Sequence, residues 1–202
     1  MIFNNKIAIN IAKKLIEIEA VKISIDNPFT WTSGIKSPIY CDNRISLSDV
    51  NLRDLIKHTF IKCINEHFSN VDCIAGVATA GIPHSSFIAD FLNKPLVYVR
   101  NKPKEHGLSN QIEGKILPGQ RVLVVEDLVS TGKSSLSAVK ALRDNGCDVI
   151  GMVAIFTYGF KQTNRIFEEE NIPLWTLCDY QILKDINSQL PDFQPDIFEY
   201  IN

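Results

Sequence analysis

Apolar and polar positions alternate with different periods along the chain. Residues 5–21 place apolar side chains every three or four positions, which predicts an amphipathic helix. A second helix is predicted to begin after the capping pair Ser48-Asp49 and to continue to about residue 68. Residues 27–44 mix aromatic, β-branched, glycine and proline residues, and this mixture predicts short strands or a hairpin.

From residue 73 onwards, the pattern becomes an alternation of strands and helices. Short apolar runs are typical of strands that are buried on both faces of a parallel sheet. We predict strands at 73–77, 95–100, 121–127, 148–156 and 174–178, and helices at 82–92 and 134–146. This order predicts one α/β domain over residues 1–202, in which helices flank a parallel sheet within residues 70–178.

Two parts of the chain lie outside this alternation. Residues 1–45 are expected to form the N-terminal helix and a small hood, and the role of residues 179–202 stays open. Residues 101–118 have almost no apolar periodicity and contain two glycines and two prolines. A loop of this length inside a compact domain is usually functional, so we predict a long flexible loop that acts as a lid.

Composition and charge narrow the function classes. The 202 residues carry 21 Lys+Arg and 23 Asp+Glu, a net charge of −2, which argues against a nucleic-acid partner. No apolar run approaches the roughly 18 residues that span a bilayer, and no secretory signal is visible. The five cysteines are widely spaced without a C-x-x-C motif, so neither a zinc site nor a disulfide framework is indicated. We therefore expect a reduced, cytoplasmic protein without membrane contact.

The strongest chemical signal is VLVVEDLVSTGKSS at residues 122–135. A buried strand ends in Glu126 and Asp127, and a small-residue turn leads into a helix. Ligands of open α/β sheets bind at the carboxyl ends of strands, and the free amides at a helix N-terminus suit a phosphate. Two carboxylates would repel that phosphate unless they hold another part of the same ligand, such as a pair of sugar hydroxyls. The segment therefore predicts a ribose phosphate site.

Two other interpretations of this segment compete. The acids could be an ordinary strand-end pair that caps the next helix. Gly132-Lys133-Ser134 also looks like the end of a nucleotide-binding P-loop, but that motif needs a glycine where Asp127 stands, so we reject it.

Two further motifs are weaker by themselves. Residues 100–107 hold Arg100, Lys102, Lys104 and His106 with one acid, and such a run is usually a solvated loop. Next to a phosphate site, however, it could close over a polyanion and stabilise a leaving diphosphate. Residues 76–83 form a small-residue turn between strand and helix, which either lets the backbone approach a ligand or merely allows tight packing.

Taken together, these motifs resemble a known family. The acid pair and turn resemble the motif of type I phosphoribosyltransferases. The sequences FTWTSGIKSPIYCDNR, GVATAGIPH, YVRNKPKEHG, NQIEGK and VLVVEDLVSTGKSS, in this order, resemble the orotate phosphoribosyltransferase family. The resemblance implies transfer of a phosphoribosyl group from phosphoribosyl diphosphate to orotate, with Mg²⁺, which gives orotidine 5′-monophosphate and pyrophosphate. It also implies a homodimer whose 101–118 loop reaches the neighbouring active site. The Mg²⁺ is expected to bind through substrate and water rather than through side chains.

The same resemblance assigns roles to residues. It implies that Glu126 and Asp127 hold the ribose hydroxyls, that residues 130–134 hold the 5′-phosphate, and that Lys104, His106 and Asp127 are catalytic. The residues implied to bind phosphoribosyl diphosphate are Ala78, Thr79, Ala80, Gly81, Arg100, Lys104, His106, Glu126, Asp127, Leu128, Val129, Ser130, Thr131, Gly132, Lys133 and Ser134. The turn at 78–81 often contains a non-proline cis peptide in this family.

The orotate contacts are less completely matched. Thr32 and Ala80 stand where some family members have lysines, and Lys133 stands where a small residue or Thr is common. Ser130 is implied to lie close to the orotate ring. Arg44 is our candidate for the orotate carboxylate, because a guanidinium binds a carboxylate through two hydrogen bonds. Lys36 is the second candidate. A structural salt bridge is the alternative role for Arg44.

Two other functions remain alternatives. A purine-base phosphoribosyltransferase would share the sugar-phosphate motifs, but the PFTWTSGIKSPIY segment favours orotate. A non-catalytic nucleotide-sensing regulator on the same fold would be expected to have a basic face or an added binding module; the net charge of −2 argues against the first, and the absence of spare length argues against the second.

Overall fold

A computed structural model describes residues 1–31, 34–101 and 111–195 of the chain. The helices are α1 (Asn5–Glu17), α2 (Val50–His67), α3 (Gly81–Leu92), α4 (Lys133–Asp144), α5 (Lys161–Glu169) and α6 (Tyr180–Ile186). The strands are β1 (Val21–Ile23), β2 (Phe29–Thr30), β3 (Lys36–Ser37), β4 (Ile39–Cys41), β5 (Cys73–Val77), β6 (Leu96–Val99), β7 (Ile112–Glu113), β8 (Arg121–Val129), β9 (Asp148–Thr157) and β10 (Leu174–Asp179). A 3-10 helix spans Asn43–Ser48. Within these ranges, no helix is both long and apolar enough to cross a membrane.

The central sheet has six strands in the order β10-β9-β8-β5-β6-β7, and all neighbours are parallel except β6 and β7. The predicted α/β fold with a mostly parallel sheet is thereby confirmed. Buried side chains on the two sides of the sheet form two apolar clusters, one of which also includes α1, α2 and α3. The strand order reverses direction between β5 and β8, and ligands of open α/β sheets bind at such a switch point.

The N-terminal region forms two small antiparallel ladders. Strands β2 and β3 make the hairpin that the composition of residues 27–44 predicts, and β1 pairs with β4. The predicted extent of the first helix was wrong, because the helix ends at Glu17 and residues 21–23 are a strand. Glu19 adopts a left-handed conformation (φ 59°) that turns the chain, and β1 then satisfies its backbone by pairing with β4.

The predicted loop at 101–118 was also partly wrong. Ile112–Glu113 forms β7, which lies antiparallel to β6 at the edge of the sheet. Ile112 is buried there, and the amide of Arg100 donates to the carbonyl of Gln111 at 2.9 Å. A strand of two residues carries no recognisable periodicity, so only this pairing reveals it. Residues 102–110 lie outside the described part of the chain.

Two helices were absent from the sequence-based prediction. In α5, only Thr163 and Phe167 are buried, so the apolar pattern is too sparse to indicate a helix. In α6, the side chain of Asp179 caps the helix by accepting a hydrogen bond from the amide of Ile182 at 2.9 Å. These helices follow β9 and β10, respectively, and α5 packs beneath the candidate site described below.

His84 on α3 makes folding sensitive to acid. Its side chain is buried, and its Nε2 has no hydrogen-bond partner among the described residues. Burial lowers its pKa to about 4 from an ordinary value of about 6.5, so the unfolded chain binds the proton more readily. The stability that depends on neutral His84 is fully present above pH 6.5 and is lost as the pH falls towards 4.

We therefore expect the free energy of unfolding to fall by about 2–3 kcal/mol more in the wild type than in His84→Leu between pH 7 and pH 4. Urea titrations of both proteins at several pH values measure this difference. Other buried acids affect both proteins alike, so the comparison isolates the imidazole. Parallel pH profiles would contradict the assignment.

Candidate active site

The predicted acid pair lies at the carboxyl end of central strand β8. Glu126 is 4% exposed, and Asp127 is partly buried beside it. One carboxylate oxygen of Glu126 accepts a hydrogen bond from the amide of Asp127 at 3.1 Å, and the other accepts one from Ser135 Oγ at 3.4 Å. The Glu126 carboxylate is thereby held in place. Asp127 is less buried and lines the cavity described below.

Burial raises the pKa of both carboxyl groups above the ordinary values, because each charge loses its hydration. For Glu126, the neighbouring Asp127 raises the pKa further. Burial and the neighbouring acid therefore both disfavour ionisation of Glu126.

A buried amide connects the acid pair to the N-terminal region. Asn43 is fully buried, and its Nδ2 donates to the backbone carbonyl of Asp127 at 2.8 Å. Its Oδ1 accepts a hydrogen bond from the thiol of Cys41 at 3.2 Å. The 3-10 helix and β4 are therefore fixed against the end of β8, and burial together with nearby acids raises the pKa of the Cys41 thiol well above its ordinary value.

The turn after β8 leads directly into the N-terminus of α4. Gly132 has φ 83°, a left-handed conformation that favours glycine, and α4 begins at the next residue. A Cβ on Gly132 would lie 2.9 Å from Phe167 of α5. The amides that begin α4 have no helical acceptor, so this turn presents hydrogen-bond donors and the positive end of a helix dipole.

A second turn approaches from strand β5. The Ala78–Thr79 peptide is cis, as the family resemblance implies, and the amide of Ala78 donates to the carbonyl of Val99 at 2.8 Å. A Cβ on Gly81 would lie 2.6 Å from the carbonyl oxygen of Val125. Glycine at this position therefore allows α3 to begin directly against β8, which places the two turns side by side.

The acid pair, the turn at 78–80 and Ser134 at the start of α4 line one cavity of about 460 Å³. We call it the sugar cavity. Its lining residues are Cys41, Asp42, Arg44, Ala78, Thr79, Ala80, Asn101, Glu126, Asp127, Leu128 and Ser134. The structure therefore brings together residues from three sequence motifs that are up to about 90 positions apart, as the sequence predicted for most of them.

A second cavity of about 380 Å³ adjoins the first, and we call it the base cavity. The two cavities share Cys41 and Leu128. The remaining lining residues of the base cavity are Thr30, Trp31, Tyr40, Ser130, Thr131 and Tyr158. The ring centroids of Trp31 and Tyr158 are 4.4 Å apart, so aromatic surface forms one side of this cavity.

The remaining predicted residues occupy different environments. Arg100 follows β6, and its Nη1 lies 3.7 Å from Glu113 Oε1. Val129 is buried, and Lys133 is exposed at the start of α4. Lys36 is exposed on β3 and does not line either described cavity. Lys104 and His106 lie outside the described residues.

Arg44 occupies the sugar cavity but already has a partner. Its Nε and Nη2 donate to the two oxygens of Asp42 at 2.6 and 2.7 Å. This ion pair lowers the pKa of Asp42, and the Arg44 side chain remains 62% exposed. The structure therefore shows Arg44 in the salt bridge that was its alternative role, and it lines the sugar cavity rather than the second cavity described above.

Sequence reasoning missed several residues of the site. Asn43, Cys41, Trp31 and Tyr158 contact the acid pair or line the base cavity, yet no single-residue signal marks them as functional. The indirect signal was the aromatic-rich stretch at 27–44, because large side chains in a short hairpin need a surface to cover.

The residues at this site fit a substrate-borne Mg²⁺. Within the described ranges, no group of three or more His, Cys, Asp or Glu side chains could hold a metal ion. Magnesium usually takes one or two carboxylates and completes its shell with substrate phosphates and water. The partly buried Asp127 carboxylate at the cavity wall satisfies this requirement.

Comparison with known proteins identifies the class that this fold and site define. Residues 48–174, more than half of the chain, match the phosphoribosyl transferase domain family. An orotate phosphoribosyltransferase from Bacillus pumilus is 54% identical over 185 residues, which are 92% of this chain and 87% of the relative. One from Bacteroides fragilis is 53% identical over 175 residues, with 87% and 82% of the two chains covered. The crystal structure of orotate phosphoribosyltransferase from Aeropyrum pernix superposes with a TM-score of 0.79 at 28% identity and covers 90% of this chain and 99% of that one. The chain belongs to the orotate phosphoribosyltransferase family.

Proposed function

We propose that this protein transfers the 5-phosphoribosyl group from phosphoribosyl diphosphate to orotate, giving orotidine 5′-monophosphate and pyrophosphate in pyrimidine biosynthesis. One observation carries the proposal. The acid pair, the cis-peptide turn and Ser134 line the sugar cavity, and a separate base cavity beside it is lined by Ser130 and Thr131 of the turn after β8. This arrangement offers separate positions for a pentose, two anionic ends and a flat ring.

The acid pair and the turn after β8 hold the ribose phosphate. Carboxylates accept hydrogen bonds from the 2′- and 3′-hydroxyls, and Asp127 is the more available of the two because it is only partly buried, whereas Glu126 is buried. Residues 130–134 receive the 5′-phosphate through backbone amides and hydroxyls at the N-terminus of α4.

The base cavity receives orotate. A planar ring packs well against Trp31 and Tyr158, and Ser130 at the edge of this cavity lies where the resemblance expects it. Arg44 remains our candidate for the orotate carboxylate, through exchange of its bond with Asp42, and Lys36 is the second candidate.

The reaction breaks the bond between ribose C1 and the diphosphate oxygen, and the orotate ring nitrogen forms the new bond to C1. Positive charge develops on the ribose, which comes to resemble an oxocarbenium ion, as in glycoside hydrolysis. The ring nitrogen loses its proton as the new bond forms, and the leaving diphosphate or solvent takes it up. The main tasks of the protein are to align the two reactants and to stabilise the leaving diphosphate.

Arg100, Lys104, His106 and the turn at 78–81 are proposed to stabilise the diphosphate. When bound, Mg²⁺ would supply positive charge that offsets the charge of the diphosphate, held mainly through substrate and water, with Asp127 placed to assist. In this chain, the remaining positive charge would come from Arg100, Lys104 and His106.

We further propose a cytoplasmic homodimer that binds neither nucleic acid nor membrane. Ile45, Val50 and Phe91 expose large apolar side chains on the 3-10 helix, α2 and α3, and α2 contacts both of the other elements. Exposed apolar residues on adjoining elements are typical of a subunit interface. The dimer would allow the 101–118 loop of one subunit to reach the site of the other.

The decisive experiment measures orotate consumption by its ultraviolet absorbance after phosphoribosyl diphosphate and Mg²⁺ are added to the purified protein. We expect orotate to be consumed and orotidine 5′-monophosphate to appear, with no product from adenine, guanine or hypoxanthine. Activity with a purine and none with orotate would overturn the proposal. Absence of activity with every base would instead favour a nucleotide-sensing role.

A further inference from the structure

Two buried threonines donate hydrogen bonds to consecutive backbone carbonyls where β8 ends and the turn at residues 130–132 begins. Thr157 Oγ1 donates to the carbonyl of Val129 at 3.0 Å, and Thr163 Oγ1 donates to the carbonyl of Ser130 at 2.9 Å. Thr163 is fully buried, and Thr157 is 6% exposed. The Val129 carbonyl also accepts a bond from the amide of Tyr158 at 3.3 Å, so Thr163 is the more informative of the two to test.

The bond to Ser130 determines where the next amide points. A trans peptide is planar and holds its C=O and N–H in opposite directions. Because the carbonyl of Ser130 points towards α5, the N–H of Thr131 points away from α5. Thr131 lines the base cavity and also a neighbouring cavity that it shares with Lys133 and Ser134. The anchored carbonyl therefore presents this amide on the ligand side of the turn.

Helix α5 supports the turn at a second point. Thr163 and Phe167 are four residues apart and so lie on the same face of the helix. A Cβ atom added to Gly132 would lie 2.9 Å from Phe167 Cε2 and 3.4 Å from Thr163 Cγ2. The backbone at Gly132 thus rests directly on the buried face of α5, and Thr163 adds a directional bond to this contact.

We propose that Thr163 is a positioning residue for phosphate binding, which acts by holding the Ser130–Thr131 peptide so that the Thr131 amide faces the 5′-phosphate. The inference deepens the proposed function and rests on it, since it concerns the phosphate end of the same substrate. Thr163 touches no substrate atom and acts through the peptide that it anchors.

Thr163→Val tests the proposal because it keeps the shape of the side chain and removes the hydroxyl. We expect the KM for phosphoribosyl diphosphate and the dissociation constant of inorganic phosphate each to rise roughly tenfold. The KM for orotate should change by less than about twofold, because the altered amide serves the phosphate. Thr163→Ser restores the donor and should restore the wild-type values.

Thr176→Val is the matched control. Thr176 is fully buried on β10, and its hydroxyl has no hydrogen-bond partner among the described residues. This substitution makes the same chemical change without removing an anchor, so we expect phosphate affinity to stay unchanged. Equal phosphate affinities of Thr163→Val and Thr176→Val, or equal losses for phosphoribosyl diphosphate and orotate in Thr163→Val, would overturn the proposal.

A measurement on the wild-type protein covers the case in which Thr163→Val does not fold. Inorganic phosphate should slow hydrogen exchange of the Thr131 amide, and unchanged exchange at phosphate saturation would overturn the proposal. These phosphate readouts do not depend on orotate turnover. A protein that binds phosphate in this way and consumes no orotate would therefore disprove the proposed function and leave the role of Thr163 intact.

Discussion

Asp127→Asn is expected to lower kcat/KM on the order of 10²-fold while leaving orotate affinity within about twofold of the wild type. Asparagine has nearly the same shape, but it lacks the negative charge that favours positive charge on the ribose in the transition state. It also loses one acceptor for the ribose hydroxyls and for Mg²⁺. Steady-state kinetics and calorimetry with orotate and with phosphoribosyl diphosphate separately measure these effects.

Asp148→Asn is the matched control for this substitution. Asp148 is exposed at the amino end of β9, the opposite end from the site, and its ion pair with Arg121 lies on the surface. We expect no more than a small change in kcat/KM. If Asp127→Asn retained wild-type turnover, the acid pair would not hold the reacting sugar, and the proposed mechanism would be wrong.

Lys104→Ala is expected to lower kcat about 10²-fold or more, because it removes one positive charge that stabilises the leaving diphosphate in the transition state. The prediction rests on the sequence and on the family resemblance, since Lys104 lies outside the described residues. Lys102→Ala removes the same charge two positions away and is the matched control. A decrease of less than about threefold in Lys104→Ala would remove Lys104 from the mechanism.

Mixing the two inactive variants tests whether Lys104 acts across a dimer. If it does, a mixed dimer of Asp127→Asn and Lys104→Ala subunits contains one site with both wild-type residues. An equal mixture that exchanges subunits freely should recover about a quarter of wild-type activity, because half of the dimers are mixed and each has one intact site. No recovery after verified subunit exchange would place Lys104 in the site of its own subunit.

The sequence predicted the order of strand, acid pair, turn and helix at the candidate site, and the reason is local. Glu126, Asp127 and Gly132 lie within seven positions, so the order strand, acids, turn and helix is enough to place them together. The structure keeps this order, with β8 ending at Val129 and α4 beginning at Lys133. The cis peptide at Ala78–Thr79 also agrees with the family resemblance.

The base cavity could not be predicted in the same way. Trp31 comes from the N-terminal hairpin and Tyr158 follows β9, and nothing in the spacing of these residues shows that their rings lie 4.4 Å apart. The ring centroid of Phe193 lies 5.9 Å from that of Trp31. Part of the otherwise unassigned C-terminal segment therefore packs against an aromatic residue of this cavity. Contacts of this kind depend on how separate elements pack.

The sequence by itself determined the α/β alternation, the central buried strand, the acid pair and the glycine-containing turn that follows it. All of these are expressed by apolar periodicity or by neighbouring residues. Only the tertiary structure decided that β1 pairs with β4 and that β7 pairs with β6. It also decided the position of α5 beneath the turn after β8 and the hydrogen bond from Asn43 to Asp127. Short strands and single buried hydrogen bonds gain their stability from partners that are distant in sequence, so no local pattern encodes them.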